Sequence, residues 1–269
     1  MKHTRPAYLF GNLFIDMGEH EKGIDYFRKL LRILSAEHKD LPNVYYFLAR
    51  AYRFISRYKL ALALARHAER LQRQRLPESN YDYARTISGV GTIYALQGDY
   101  RRELTYYKKA LIMYRHISPM QEDVHFARSN ARLALAYIHH GQYTHALPLL
   151  EMTLSIYKAT LPEAHLYKAQ ALQLMADAQY GIGDPEQACN FYEQALHARH
   201  LCMPANDPAT AVNHHLAGIA YETFGQHEIA LQHERQALDI LELATPREQE
   251  ALTHIRSSIE RNLANLQLN

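Results

Sequence analysis

The chain has 269 residues, with 30 lysines and arginines against 28 aspartates and glutamates, 17 histidines, two cysteines and no tryptophan. A single compact core nears its upper size at this length, whereas an architecture that grows by adding neighbours has no such limit. No apolar run approaches the length of a membrane span. Glycine and proline occur as isolated punctuation with no Ser/Gly-rich linker, and Cys189 and Cys202 read as reduced thiols of a cytoplasm-like compartment.

Six small residues, Gly18, Ser56, Gly98, Gly141, Gly183 and Gly225, recur at steps of 38, 42, 43, 42 and 42. Prolines keep the same beat. Pro77, Pro119, Pro162, Pro204 and Pro246 each lie 21 positions after a small residue, and Pro42 lies 24 after the first. Two breakers per unit of about 42 residues predict a helical solenoid. The small residue turns one helix sharply into the next at positive φ, and the proline ends the second helix.

Lys2 and Arg5 precede the stretch from Ala7 to Met17 in the first unit, residues 4–41. Asn12 and Asp16 interrupt the apolar stretch 7–17, which therefore reads as a helix and not a leader. Leu9, Phe10, Leu13, Phe14 and Met17 have no preceding unit to cover them, which favours self-association or a partner at that N-terminal end. The second unit, 42–78, has the least typical turn, at Ser56. In the third, 79–121, Leu104 and Leu111 stand seven apart within Tyr100–Ile117, two helical turns and not a strand period. The fourth, 122–163, carries Pro148 in the predicted first turn of its second helix, where N–H groups lack intrahelical partners anyway. The fifth, 164–206, contains Asp184-Pro185-Glu186: an N-cap, a first-position proline and an acid at the positive end of the helix dipole. The sixth, 207–246, is followed by an amphipathic stretch at 247–267, with Ala251, Ile255, Ile259, Leu263 and Leu266 on one side, predicted to cap the solenoid.

Aligned on the small residue, the six units resemble tetratricopeptide repeats. Eight positions into the first helix they carry Gly11, Ala49, Gly91, Ala134, Ala176 and Gly218. Eleven in, they carry Phe14, Tyr52, Tyr94, Tyr137, Gln179 and Tyr221. At the twentieth position stand Gly23, Ala61, Glu103, Ala146, Ala188 and Ala230, and at the twenty-seventh Leu30, Ala68, Ala110, Thr153, Ala195 and Ala237. Glu103, Thr153 and Gln179 depart from the pattern without breaking its register. The common repeat has about 34 residues; units of about 42 with a late proline resemble those of kinesin light chains and their bacterial relatives. The resemblance implies an all-α, right-handed solenoid of six helix-turn-helix repeats plus a C-terminal capping helix, in one continuous domain over 1–269.

It also implies where binding occurs. In such solenoids the first helix of each repeat lines a concave groove that holds a peptide or protein segment. The matching positions are Tyr8 and Asn12 in the first unit, Asn43, Tyr46, Arg50 and Arg53 in the second, and Arg85 and Thr92 in the third. The fourth supplies Arg128 and His139, and the fifth Asp177 and Tyr180. Arg50, Arg53, Arg85 and Arg128 are expected to clamp carboxylates by charge-assisted hydrogen bonds, and Asn12 stands where family members use asparagine to hold ligand backbone. Tyr8, Phe47 and Gly89 replace the Lys, Asn and Arg or Lys of the chaperone-binding members, so that ligand class is not expected.

Charge is unevenly spread. Residues 41–140 hold 16 Lys+Arg against 7 Asp+Glu, whereas 141–250 hold 5 against 14. This predicts a protein or peptide partner with an acidic segment for the N-terminal half, steered by charge; head-to-tail self-association is the rival. Nucleic acid is a lesser alternative, because Arg57, Lys59, Arg66, Arg70, Arg73 and Arg75 spread around a helix and a loop. His197, His200 and Cys202, and the adjacent pairs His139-His140 and His214-His215, come without a metal-ligand motif, Walker loop or Gly-rich fingerprint. Neighbours on a helix point about 100° apart and chelate poorly. The expectation is a non-enzymatic cytoplasmic adaptor with no cofactor, no metal and no membrane attachment. A peptide-responsive regulatory module acting on a separate effector is the alternative.

Overall fold

The computed structural model describes residues 8–75, 80–118, 123–242 and residue 262. The expected capping helix at 247–267, Asn262 apart, and Arg5, Pro77, Pro119 and Pro246 lie outside these residues. Among the described residues there are twelve α-helices and no strand: α1 (Tyr8–Asp16), α2 (His20–Ile33), α3 (Leu41–Phe54), α4 (Tyr58–Arg75), α5 (Tyr81–Leu96), α6 (Tyr100–Ile117), α7 (Val124–His139), α8 (Tyr143–Thr160), α9 (Leu166–Gly181), α10 (Pro185–Cys202), α11 (Pro208–Thr223) and α12 (His227–Glu242). They form six antiparallel pairs and group into two compact units, Met1–Gln121 and Glu122–Asn269.

The six small residues do what their spacing predicts. Gly18, Gly98, Gly141, Gly183 and Gly225 have φ between 68° and 88°, and Ser56 has φ 58°. Each joins the two helices of a pair through the same two capping bonds. In the third pair Gly98 N donates to Ala95 O at 3.0 Å and Asp99 N to Tyr94 O at 3.0 Å; in the second, Ser56 N donates to Arg53 O at 3.1 Å and Arg57 N to Tyr52 O at 2.9 Å. These bonds satisfy carbonyls that the helix end leaves without partners. The residue whose carbonyl closes the wider ring is always the one eleven positions into the repeat: Phe14, Tyr52, Tyr94, Tyr137, Gln179 or Tyr221. Ser56 alone among them bears a Cβ in the left-handed region, at a cost of about 1–2 kcal/mol.

The prolines split into two roles. Pro162 and Pro204 follow the ends of α8 and α10 as expected. Pro42 does not end α2, which stops at Ile33; it sits in the first turn of α3, where its fixed φ suits the helix and its missing N–H costs nothing. Pro185 and Pro208 start α10 and α11 in the same way. Pro148 lies one turn deeper than expected, because α8 begins at Tyr143, so its ring opposes the Thr144 carbonyl and removes one intrahelical bond. Asp184 caps α10 by accepting from Gln187 N at 3.0 Å, and Asp99 caps α6 by accepting from Arg102 N at 3.1 Å.

In the first, third and sixth pairs the glycine of the first helix faces the residue sixteen positions on in the second: Gly11 faces Phe27, Gly91 faces Tyr107 and Gly218 faces Glu234. A Cβ on Gly91 would lie 2.9 Å from the Tyr107 ring, so the close approach of α5 and α6 depends on its absence. In the first unit these contacts build a core from Ile15, Ile24, Phe27, Val44, Phe47, Leu48, Val90 and Ile93, with Ala61, Ala65 and Ala68 as the small counterparts on α4. Full burial of a residue such as Phe27 contributes about 1.5–3 kcal/mol. In the second unit Leu150 and Met175 join α8 to α9, while Tyr192, Leu196 and Ala217 join α10 to α11. Two of the three pattern departures have different fates. Thr153 is buried with its hydroxyl donating to Leu149 O at 2.7 Å, whereas Glu103 is fully buried with both carboxylate oxygens lacking a hydrogen bond.

Candidate functional site

In the first unit the first helices of the repeats, α1, α3 and α5, lie side by side and carry most of the expected groove residues. Their polar groups are bonded to one another across the rows. Arg50 on α3 holds Asp16 of α1 at 2.7 Å and donates to Asn12 Oδ1, while Asn12 donates to Asp16 at 2.8 Å. One row on, Asn43 donates to Asp82 at 2.8 Å and accepts from Arg85 at 3.2 Å, and Arg85 pairs with Asp82 at 2.7 Å. The Arg85 guanidinium lies 5.1 Å from the Tyr46 ring centroid and 5.0 Å from that of Phe47, and Tyr8 stacks on Phe47 at 5.2 Å. Arg53 lies over Phe54 at 4.4 Å. Thr92 accepts from the Tyr107 hydroxyl at 3.1 Å and donates to Ser88 O.

The ladder changes the electrostatic expectation. Arg50 and Arg85 each already face an aspartate, so the surface holds oriented, internally neutralised pairs and is not a bare cationic clamp. Each pair still reaches solvent: the Arg50 and Asp16 side chains are 27% and 47% exposed. Asn43 and Tyr46 are buried and serve as scaffolding that holds Arg85.

Tetratricopeptide repeat family models match residues 4–74 and 126–199, and a second model of the same family matches 84–118. The chain belongs to the tetratricopeptide repeat family. Among solved TPR structures, a putative kinesin light chain with nearly identical TPR-like repeats from Podosopora anserina is similar at 20% identity and TM-score 0.64, over 78% of this chain and 99% of that one. BtubC from P. vanneervenii is similar at 17% identity and TM-score 0.67, over 86% and 93%. The anaphase-promoting complex assembly Cut9–Hcn1 is similar at 15% identity and TM-score 0.72, over 97% of this chain and 43% of that one. At these identities the likeness is one of fold. A clustered mitochondria protein homolog of Xenopus tropicalis is 27% identical over 151 residues, which are 54% of this TPR chain and only 11% of the relative.

In the second unit of this TPR protein the expected residues are more dispersed. Arg128 on α7 donates to the Tyr167 hydroxyl of α9 at 2.8 Å and lies over its ring at 5.4 Å. Asp177 accepts from the Tyr192 hydroxyl at 2.5 Å, and burial raises its carboxyl to about 6. Tyr180 shares a hydrogen bond with Thr223 at 3.1 Å, and His139 is exposed at the end of α7.

Sequence reasoning missed a hydrogen-bonded chain that runs from two buried histidines to an exposed glutamate. His214 and His233 face each other with Nδ1 atoms 3.0 Å apart, and His233 Nε2 lies 2.8 Å from Glu193, which also accepts from Tyr221 at 3.2 Å. One neutral assignment satisfies all three: His214 Nδ1–H donates to His233 Nδ1, and His233 Nε2–H donates to Glu193. Burial lowers His214 to about 4, with His233 and His200 adding to the effect, while the His233 hydrogen bond holds Glu193 below the usual carboxylate range. Beside it, His215 bonds both oxygens of the buried Glu234, at 3.0 and 2.9 Å. Glu234 occupies the position filled by Phe27, Tyr107 and Tyr192 in other repeats; that acid at an apolar position was the sequence signal for this network.

Among the described residues no cluster of three His, Cys, Asp or Glu side chains is placed to hold a metal. Burial pushes the Cys189 thiol up to about 11, leaving it a poor nucleophile. No described helix is long and apolar enough to cross a membrane.

Proposed function

We propose that this TPR chain is a non-enzymatic cytoplasmic adaptor, one continuous repeat domain that binds a protein or peptide segment along the face made by its first helices. The repeat architecture supports a protein-interaction role. The observation that carries the finer reading is the cross-row ladder of Asn12, Asp16, Arg50, Asn43, Asp82 and Arg85 on α1, α3 and α5. Guanidinium groups held by a carboxylate, an amide and aromatic rings lose little freedom when a ligand arrives, and each retains N–H groups for carbonyl or carboxylate oxygens. Asp16 and Asp82 compete with acidic ligand groups, so oriented hydrogen bonding to an extended segment outweighs bulk charge on this face.

Capture from the native source, followed by titration of the recovered partner against wild type and an Arg50→Ala/Arg53→Ala/Arg85→Ala variant, tests this reading. Loss of three oriented cations is expected to weaken binding at least about tenfold. Equal affinity for the two proteins sinks the groove assignment. A short free peptide that alone raises the melting temperature would instead favour the peptide-responsive regulatory module.

A further inference from the structure

A concavity lies in the first unit, at the end of the repeats where each first helix turns into its partner. It is a cleft of about 760 Å³ bordered by α2, the α3–α4 turn and the end of α5. Buried Ile24 and Tyr52, with the more exposed Ile55 and Leu60, give it an apolar lining. Arg28, Arg57 and Lys59 supply its cations, and Glu21 is its one acidic lining residue.

These cations differ from those of the ladder. Arg50 and Arg85 each hold an aspartate, whereas the Arg57 and Lys59 side chains are exposed and, among the described residues, engage no carboxylate and no hydrogen-bond acceptor. Arg28 is stationed over the Tyr52 ring, 5.7 Å from its centroid, with no ion pair among the described residues. Three unneutralised cations around one partly apolar recess hold a local excess of positive charge that an anionic ligand relieves.

The turn residue adds an independent sign. Ser56 lines the cleft and is the non-glycine residue that adopts positive φ among the described residues. The other five turns use glycine, so the chain retains a strained side chain where this cleft forms. Such strain collects at functional positions.

We propose that this cleft is a binding site distinct from the first-helix face, and that it takes an acidic peptide segment. Carboxylates of the segment lie against Arg57, Lys59 and Arg28, and an aliphatic side chain enters beside Ile24, Ile55 and Leu60. Peptide is favoured over nucleic acid because the cations surround one recess with an apolar lining, where a nucleic-acid strand needs a row of phosphate contacts along an open track.

The test is fluorescence anisotropy on the full chain with a short labelled peptide of alternating glutamate and leucine. Binding is expected to weaken with salt and to fall at least about tenfold in Arg57→Glu/Lys59→Glu, two exposed positions whose change leaves the core intact. Arg57→Gln/Lys59→Gln is expected to give an intermediate loss, and the Arg50/Arg53/Arg85 alanine variant a smaller loss than the charge-reversed protein, which separates this site from the ladder. No binding by wild type, equal binding by the charge-reversed protein, or loss only in the ladder variant overturns the proposal. Equal affinity for an all-glutamate peptide overturns the apolar subsite. Displacement of the peptide by a single-stranded oligonucleotide at equal concentration overturns the peptide assignment in favour of nucleic acid.

Discussion

Ser56 and Glu103 stand where the repeat prefers another residue, and the structure assigns each a thermodynamic consequence. Ser56 carries its Cβ at φ 58°, so Ser56→Gly relieves the left-handed strain and is expected to stabilise the chain by about 1 kcal/mol in chemical denaturation, less the extra freedom that glycine gives the unfolded chain. Glu103 is buried without a partner, and burial raises its carboxyl from 4.5 to about 7. The unfolded chain releases this proton near the lower value while the folded chain keeps it, so stability falls as pH rises from 4.5 to 7 and the full penalty persists above. Glu103→Gln, neutral throughout, is expected to match wild type near pH 4.5 and to exceed it at pH 8 by up to about 3 kcal/mol, read from melts across that range. Both departures were visible as sequence. That Ser56 lines a cleft and Glu103 lacks a partner depended on what surrounds them.

At the scale of the element, a small residue, its turn and a large residue sixteen positions on specify several of the helix pairs, while the second pair sets Ala49 with Ala65. Gly11 with Phe27 and Gly91 with Tyr107 follow this rule, and Gly218 with Glu234 puts an acid in the same slot, answered by His215. The neighbouring His214–His233–Glu193 chain makes the packing of α10, α11 and α12 sensitive to pH. His214 has its folded value lowered from 6.5 to about 4, so the unfolded chain takes up a proton that the folded chain refuses. Stability from this group is present above 6.5 and is lost as pH falls towards 4, by up to about 3 kcal/mol. His214→Gln is expected to flatten the difference between melts at pH 6.5 and pH 4.5 relative to wild type; an unchanged slope removes His214 as the cause. The adjacent His214 and His215 revealed none of this in the sequence, because their partners His233 and Glu234 each lie nineteen residues away on another helix.

Across the whole molecule, the beat of about 42 residues determined the helix pairs, their turns and their family, because the interactions that make each pair are local and repeat in register. The same regularity sorted Tyr52, Tyr94 and the buried alanines into structural roles and drew attention to Arg50, Arg53 and Arg85. The sequence alone also showed the basic bias of residues 41–140. It did not show which of those charges are spent within the fold. Asp16 and Asp82 reach the ladder arginines through side-chain geometry, and Arg28, Arg57 and Lys59 meet at one cleft because successive turns stack at one end of the repeats. Periodicity reports contacts that recur, and so determined the scaffold; pairing of charges is particular to each row and is settled only when the helices are packed.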